Sequence, residues 1–215
     1  AVEIREVVYE KKNLPRSLNN FKIVFVSDIQ ADRFTGEKRL SNYIDKLNSV
    51  NPDLVLMAGD MITSTPNYID LSANQLSRIE SKYGTYTCVG DHDNWAYRGN
   101  VDKSLFEVTK ALEKVNIPMI DNDKLILGID SANIEVTFVT NTYVERANGR
   151  MLEEITKDKN NADLRIFLTH QPRQFLIDKA SEKKYDLYLC GHTHGGQITF
   201  LFPFCPLVLF YYIKK

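Results

Sequence analysis

The sequence predicts a single α/β domain, and three observations carry that prediction. Short apolar runs rich in β-branched residues alternate with segments of helical periodicity. Several of those runs end in small clusters of Asp, His and Gly. No internal repeat, low-complexity segment or long linker divides the chain, whose 215 residues at 43% hydrophobic content suffice for one sizeable core.

The elements follow in order. Phe21 to Val26 is a nearly continuous apolar run, as expected of a buried strand. Leu40, Tyr43, Ile44, Leu47 and Val50 recur at helical spacing, and Asn51-Pro52 stops that helix. Asp53 to Ala58 reads as a second buried strand, Ile69 to Lys82 as a weaker helix, and Thr85 to Val89 as a third strand. Val101, Leu105, Val108, Leu112 and Val115 mark one face of another helix. Leu125 to Ile129 and Ile134 to Thr140 read as adjacent strands joined by a turn around residues 131–133. A polar helix near Arg150 to Lys157 precedes strand Leu164 to Leu168. Helix Arg173 to Lys183 and strand Asp186 to Leu189 complete the series.

Bulk properties exclude some partners. A net charge of −1 gives no electrostatic reason to expect nucleic acid. The three cysteines (Cys88, Cys190 and Cys205) have neither metal-type nor redox-type spacing, and Cys88 and Cys190 read as buried thiols. The odd count leans toward a reducing compartment. No signal-like apolar run precedes the first charges, and a start at Ala1 leaves room for a removed targeting segment, anchor or tag.

The polar clusters carry the chemistry. They are Asp28-Ile-Gln30, Gly59-Asp60, Gly90-Asp-His-Asp-Asn94, Thr169-His170 and Cys190-Gly-His-Thr-His-Gly-Gly196. In open α/β sheets, ligands bind beyond the carboxyl ends of strands, where these clusters fall. Each residue alone has an ordinary explanation as a turn or cap residue. Together they form a carboxylate and imidazole set without thiolate, which suits a catalytic site for Mn²⁺, Fe, Zn²⁺ or Mg²⁺. Seven such donors exceed what one ion with an open position can use, and suit two ions about 3.5–4 Å apart.

The ordered set Asp28-x-Gln30, Gly59-Asp60, Gly90-Asp-His-Asp93, His170 and Gly191-His-Thr-His194 resembles the calcineurin-like metallophosphoesterases. The ending Gly191-His-Thr-His-Gly-Gly-Gln-Ile198 is most similar to their membrane-associated branch, which includes enzymes of the UDP-diacylglucosamine hydrolase type. The resemblance implies two facing mixed β-sheets flanked by helices. It assigns Asp28, Gln30 and His194 to a first metal, Asp91, His170 and His192 to a second, and Asp60 to both. It also implies in-line attack of a metal-bridging hydroxide on a phosphoester or pyrophosphate bond. His92 would bind a phosphoryl oxygen or protonate the leaving group, with Asp93 as its candidate orienting partner. The family usually has histidine where Gln30 stands and asparagine where Asp91 stands. These departures make the donor set richer in oxygen and more anionic, and favour Mn²⁺ or Mg²⁺ over Zn²⁺.

Arg33 and Arg98 are candidates to clamp a second phosphate, Trp95 to stack on a base or sugar, and Asn94 to bind substrate beside them. Residues 200–213 form an apolar run broken by Pro203 and Pro206 and followed by Lys214-Lys215, too short to span a membrane. It reads either as a buried strand and loop or as a lip entering a lipid interface. The lip would place the protein peripheral to a membrane, on its cytoplasmic face, with a lipid-linked UDP-sugar as substrate. A soluble nucleotide phosphodiesterase or phosphomonoesterase, and a catalytically silent scaffold, are the competing readings.

Overall fold

In the computed structural model, residues 3–157, 161–193 and, for the backbone, 207–214 are described. Nine strands and five helices follow one another as β1 (Glu3–Glu10), β2 (Lys22–Val26), α1 (Glu37–Asn48), β3 (Leu54–Met57), α2 (Ile69–Leu76), β4 (Thr85–Thr87) and α3 (Val101–Glu113). Next come β5 (Asp123–Ile129), β6 (Ala132–Val139), α4 (Gly149–Ile155), β7 (Leu164–Thr169), α5 (Gln174–Glu182), β8 (Leu187–Cys190) and β9 (Leu207–Lys214). They form two mixed sheets, in the orders β1-β9-β2-β3-β4 and β5-β6-β7-β8.

Strand periodicity explains the layering. Ile23 and Phe25 of β2 face the second sheet with Leu54 and Leu56, and meet Ile134, Val136, Phe138, Leu164, Ile166 and Leu168 there. The alternate residues Val24, Val26, Val55 and Met57 face the other way, onto Leu40, Ile44 and Leu47 of α1, Ile69 and Leu76 of α2, and Val108 and Leu112 of α3. On the far side of the second sheet, Val139 and Phe167 pack on Leu152 of α4 and Leu176 of α5. The result is the four-layered helix-sheet-sheet-helix arrangement that the family resemblance implied.

Most predicted elements stand within a few residues. Asn51 adopts φ 50°, a left-handed position that closes α1 just ahead of Pro52. The second helix ends at Leu76, six residues short of the predicted limit. The β5–β6 hairpin turns at residues 130–131, because Asp130 takes φ 51° and Ile129 pairs with Ala132. Strand β1 carries no sequence signal: it is mostly exposed and charged, and exists through parallel pairing with β9, some 200 positions away in sequence. The backbone of β9 pairs on its other side with β2 in antiparallel register, so the segment 207–214 is a strand within the first sheet. Residues 200–206 lie outside the described residues. Among the described residues, no helix is long and apolar enough to cross a membrane. Cys88 is buried and Cys190 partly exposed, both as free thiols.

The outer face of the second sheet buries charge. Glu135 is fully inaccessible and meets Arg165 Nε at 3.1 Å and Lys124 Nζ at 3.0 Å. Arg165 in turn lies over the Tyr185 ring at 4.2 Å. Removing one member of such a set strands the others, at a cost of about 3–5 kcal/mol. Glu135→Ala is therefore expected to lower the stability measured by urea unfolding by roughly that amount, whereas Glu154→Ala, on the exposed face of α4, should change it little.

Topology then fixes where chemistry can occur. Strands β2, β3 and β4 run parallel, as do β6, β7 and β8. Their carboxyl ends emerge at one rim, where the two sheets meet.

Candidate metal centre

The loops at this rim are held by their backbones. Asp28 N–H donates to Gly59 O (3.3 Å), Gln30 N–H to Asp60 O (2.9 Å) and Ala31 N–H to Met61 O (2.9 Å). Asp28, Gln30, Asp60 and His192 all have positive φ, at 55°, 47°, 58° and 67°. Non-glycine residues adopt this region at a cost of order 1–3 kcal/mol each and only where the surroundings enforce it. Close approach also explains two motif glycines. A Cβ on Gly90 would lie 2.2 Å from Asp60 N, and one on Gly191 would lie 2.8 Å from Ser27 Cβ. These loops could not come together with side chains at those positions.

Two donor groups result. Asp91, His170 and His192 bring one ligand atom each to within 4.8 Å of one another, and so do Asp28, Asp60 and His170. His170 Nε2 is common to both, 3.4 Å from Asp60 Oδ2 and 3.2 Å from Asp91 Oδ2. His192 Nδ1 lies 2.9 Å from Asp91 Oδ2, while its backbone N–H donates to Asp28 Oδ2 at 3.0 Å. The structure thus gathers five of the predicted ligands. Gln30 joins them through its amide nitrogen, 3.3 Å from Asp60 Oδ2. A half-turn of that amide would present its oxygen at the same place. His194 lies outside the described residues.

The ring of His170 is fixed by its Nδ1–H, which donates to Ala58 O at 2.7 Å. Its Nε2 is buried with no well-formed hydrogen bond, a position that a cation would satisfy. Charge balance points the same way. Burial raises the Asp60 carboxyl from 3.8 to about 7, with His170 opposing and Asp93 adding to the rise. Burial works against a charged His170, but Asp91, Asp60 and Asp28 outweigh it and lift the imidazole from 6.5 to about 9. Asp91 is likewise penalised by burial, yet the His170 imidazole 3.2 Å away and hydrogen bonds from Gln171 and the Tyr143 N–H bring it down to about 2.

These shifts have a sign that experiment can check. Raised folded-state values for Asp60 and His170 stabilise the protein at low pH, and this contribution disappears as pH climbs through about 7 and about 9. The metal-stripped protein is therefore expected to melt at progressively lower temperature between neutral and alkaline pH. Divalent metal, which displaces the same protons, should restore stability increasingly as pH rises. A melting temperature independent of both pH and metal across that window would overturn the donor set.

Asp93 requires a correction. It was expected to orient His92, but it is fully buried and its carboxylate accepts from three backbone amides: Met61 (2.9 Å), Gly90 (2.9 Å) and Asp60 (3.0 Å). Its work is to tie the loop after β3 to the loop after β4. The ring of His92 is oriented instead by the carbonyl of Thr63, which meets Nδ1. Its Nε2 then faces Asp60 Oδ2 at 4.0 Å. Asn94 is also corrected from substrate binding to support: it is buried and its amide donates to Gly90 O at 2.9 Å.

Arg33 is exposed, its guanidinium over the Phe34 ring at 4.4 Å, and Arg98 is exposed ahead of α3. Trp95 lies beside His92, with ring centroids 5.0 Å apart. Two participants went unnoticed in the sequence. Gln171 donates its amide to both oxygens of Asp91, at 3.0 and 2.8 Å, and accepts from Arg173 Nε at 3.1 Å. Tyr143, after β6, donates its N–H to Asp91 Oδ1 at 2.7 Å. Both follow strand ends, so the rule that found the other ligands covered them, but neither is a usual metal donor.

Comparison with known proteins identifies the family. Residues 21–196 match the family described as calcineurin-like phosphoesterase. An uncharacterised metallophosphoesterase of Campylobacter jejuni is 35% identical over 96% of this chain and 51% of its own length. The phosphodiesterase YaeI of Escherichia coli is 26% identical over 87% of the chain and 66% of its own length. Among solved structures, the 5'-nucleotidase of Candida albicans superposes with a TM-score of 0.52 at 14% identity, over 94% of this chain and 46% of that one; the likeness concerns the fold. This chain spans about half the length of the first of these relatives.

Proposed function

This chain belongs to the calcineurin-like phosphoesterase family, and from that premise we propose that it hydrolyses phosphoester or pyrophosphate bonds with the aid of two divalent metal ions. The observation that carries the reading is the pair of donor groups sharing His170. On this reading Asp28, Gln30, Asp60 and, by the resemblance, His194 would hold one ion and Asp91, His170 and His192 the other, with Asp60 as the carboxylate available to both. Bound there, the ions would supply Lewis-acid neutralisation of phosphate charge and a water of lowered pKa.

The chain's own groups supply position and protons. Gln171 and the Tyr143 N–H aim Asp91, and Ala58 O aims His170. His92 keeps its Nδ1 proton on the Thr63 carbonyl, which leaves Nε2 as the atom that binds or protonates a departing oxygen. Its backbone N–H donates to Asp60 Oδ1 at 2.8 Å, so the imidazole and the shared carboxylate are positioned as one unit. The oxygen-rich donors favour Mn²⁺, with Mg²⁺ as the alternative.

The finer reading is a membrane-linked substrate such as a lipid UDP-sugar, with the protein held at a membrane surface. Its support is the resemblance of residues 191–198 to the membrane-associated branch and the apolar, phenylalanine-rich stretch 200–206 that precedes β9. One panel tests both levels. The Mn²⁺-loaded protein is given bis(p-nitrophenyl) phosphate, p-nitrophenyl phosphate, cyclic nucleotides and UDP-diacylglucosamine, with anionic vesicles present or absent. Metal-dependent turnover of any of these is the expected result, with preference for diesters or pyrophosphates. Turnover of water-soluble substrates alone, indifferent to vesicles, overturns the membrane reading. A metal-loaded protein that turns over none of them overturns the hydrolase reading.

A further inference from the structure

Four aromatic rings run in series across the mouth of the centre. The Trp95 ring meets His92 edge-on at 5.0 Å and lies nearly parallel to Tyr143, at 11° and 6.3 Å between centroids. Tyr143 in turn meets His192 edge-on at 5.6 Å. The series therefore starts and finishes on histidines of the centre, and its two middle members come from unrelated segments, the turn after β4 and the loop after β6.

The placement of Tyr143 is unusual for a loop aromatic. Its backbone is fixed to the centre by the hydrogen bond to Asp91 Oδ1 (2.7 Å), yet its side chain is 54% exposed. Trp95 is half-buried and held against His92. Nearly parallel aromatic rings, one exposed and one half-buried, favour another flat ring, which stacks with little loss of side-chain entropy. An acyl chain would bury against either ring without using their parallel setting, and a bare phosphate has no apolar face to stack.

We propose that Trp95 and Tyr143 form a stacking platform for a flat aromatic group joined to the phosphate, either a nucleobase or an aryl ester. The proposal rests on the phosphoesterase reading for the position of the phosphate, and it names the part of the substrate that the centre itself does not recognise.

Trp95 is the only tryptophan of the chain, so intrinsic fluorescence reports from one end of the platform. The metal-loaded protein is titrated with nucleoside monophosphates, ribose phosphate, phenylphosphonate and methylphosphonate. The aromatic members of these pairs are expected to perturb the fluorescence and to bind more tightly than the others. Tighter binding of nucleotides than of phenylphosphonate identifies the ring as a base, and the reverse order identifies an aryl group. Tyr143→Leu should weaken the preference for aromatic ligands roughly tenfold, while Tyr143→Phe keeps it. Equal responses to aromatic and non-aromatic ligands, or a preference untouched in Tyr143→Leu, overturn the platform. Because binding is read without turnover, the two readings fail separately. A preference without hydrolysis removes the enzyme reading, and hydrolysis without a preference removes the platform.

Discussion

Asp60→Ala is expected to lower metal-dependent hydrolysis by on the order of 10³-fold or more, and to leave a protein that retains less metal after desalting. The size follows from how much converges on this carboxylate. It is 1% exposed, accepts the His92 N–H at Oδ1 (2.8 Å), meets the Gln30 amide at Oδ2 (3.3 Å) and lies 3.4 Å from His170 Nε2. Alanine removes a donor of the Asp28, Asp60 and His170 group and frees both the His92 loop and Gln30. Burial disfavours the charge on Asp60 in the metal-free protein, which offsets part of the roughly 1–3 kcal/mol lost when the His92 N–H has no acceptor; the thermal melt of the stripped protein should fall only slightly. Metal content, kcat and that melt separate the alternatives. Full metal content with wild-type turnover would remove Asp60 from the centre, and a collapsed melt would make its role structural.

Much of the fold was legible because strands in the two sheet interiors are continuous apolar runs, such as 22–26 and 54–57, separated by helices with clear faces. Strand β1 was not, since an exposed edge strand needs no apolar pattern and its partner β9 is remote in sequence. The apolar run at 200–213 was ambiguous for a related reason. A hydrophobic segment reads the same whether it is to be covered by protein or by lipid, and it was the pairing of 207–214 between β1 and β2 that made that part of the run a strand.

The site divides in the same way. Asp28, Asp60, Asp91, His170 and His192 could be found because their side chains are metal donors at strand ends. What positions them was hidden, because it is largely backbone: the carbonyls of Ala58 and Thr63, the N–H of Tyr143, and the three amides that occupy Asp93. Such contacts depend on which loops lie side by side, and sequence spacing does not encode that. The mistaken role of Asp93 illustrates the point. Adjacency to His92 suggested a catalytic pair, whereas the chain turns the two side chains toward different partners.

That separation gives His92→Ala a distinct signature. Its loss is expected to lower kcat on the order of 10²–10⁴-fold, the usual worth of a positioned acid or base. Metal content should be retained, because His92 belongs to neither donor group and its Nε2 stops 4.0 Å from Asp60 Oδ2. The ring is 28% exposed, so a leaving oxygen can reach it. If the imidazole gives up a proton, the defect must depend on how much the leaving group needs one. It should be large for alkyl phosphodiesters and small for nitrophenyl esters, whose phenolate departs unassisted. A defect equal for both would reduce His92 to a hydrogen bond donor on the phosphoryl oxygens, and a matching fall in metal content would make it a ligand. Asp93→Asn is the informative contrast. Because the native carboxylate accepts three backbone N–H groups, replacing one of its oxygens with an NH₂ strands at least one of them at about 1–3 kcal/mol. Its loss of activity should therefore follow loss of stability and be indifferent to the leaving group, which separates the residue that shapes the loop from the residue that handles the proton.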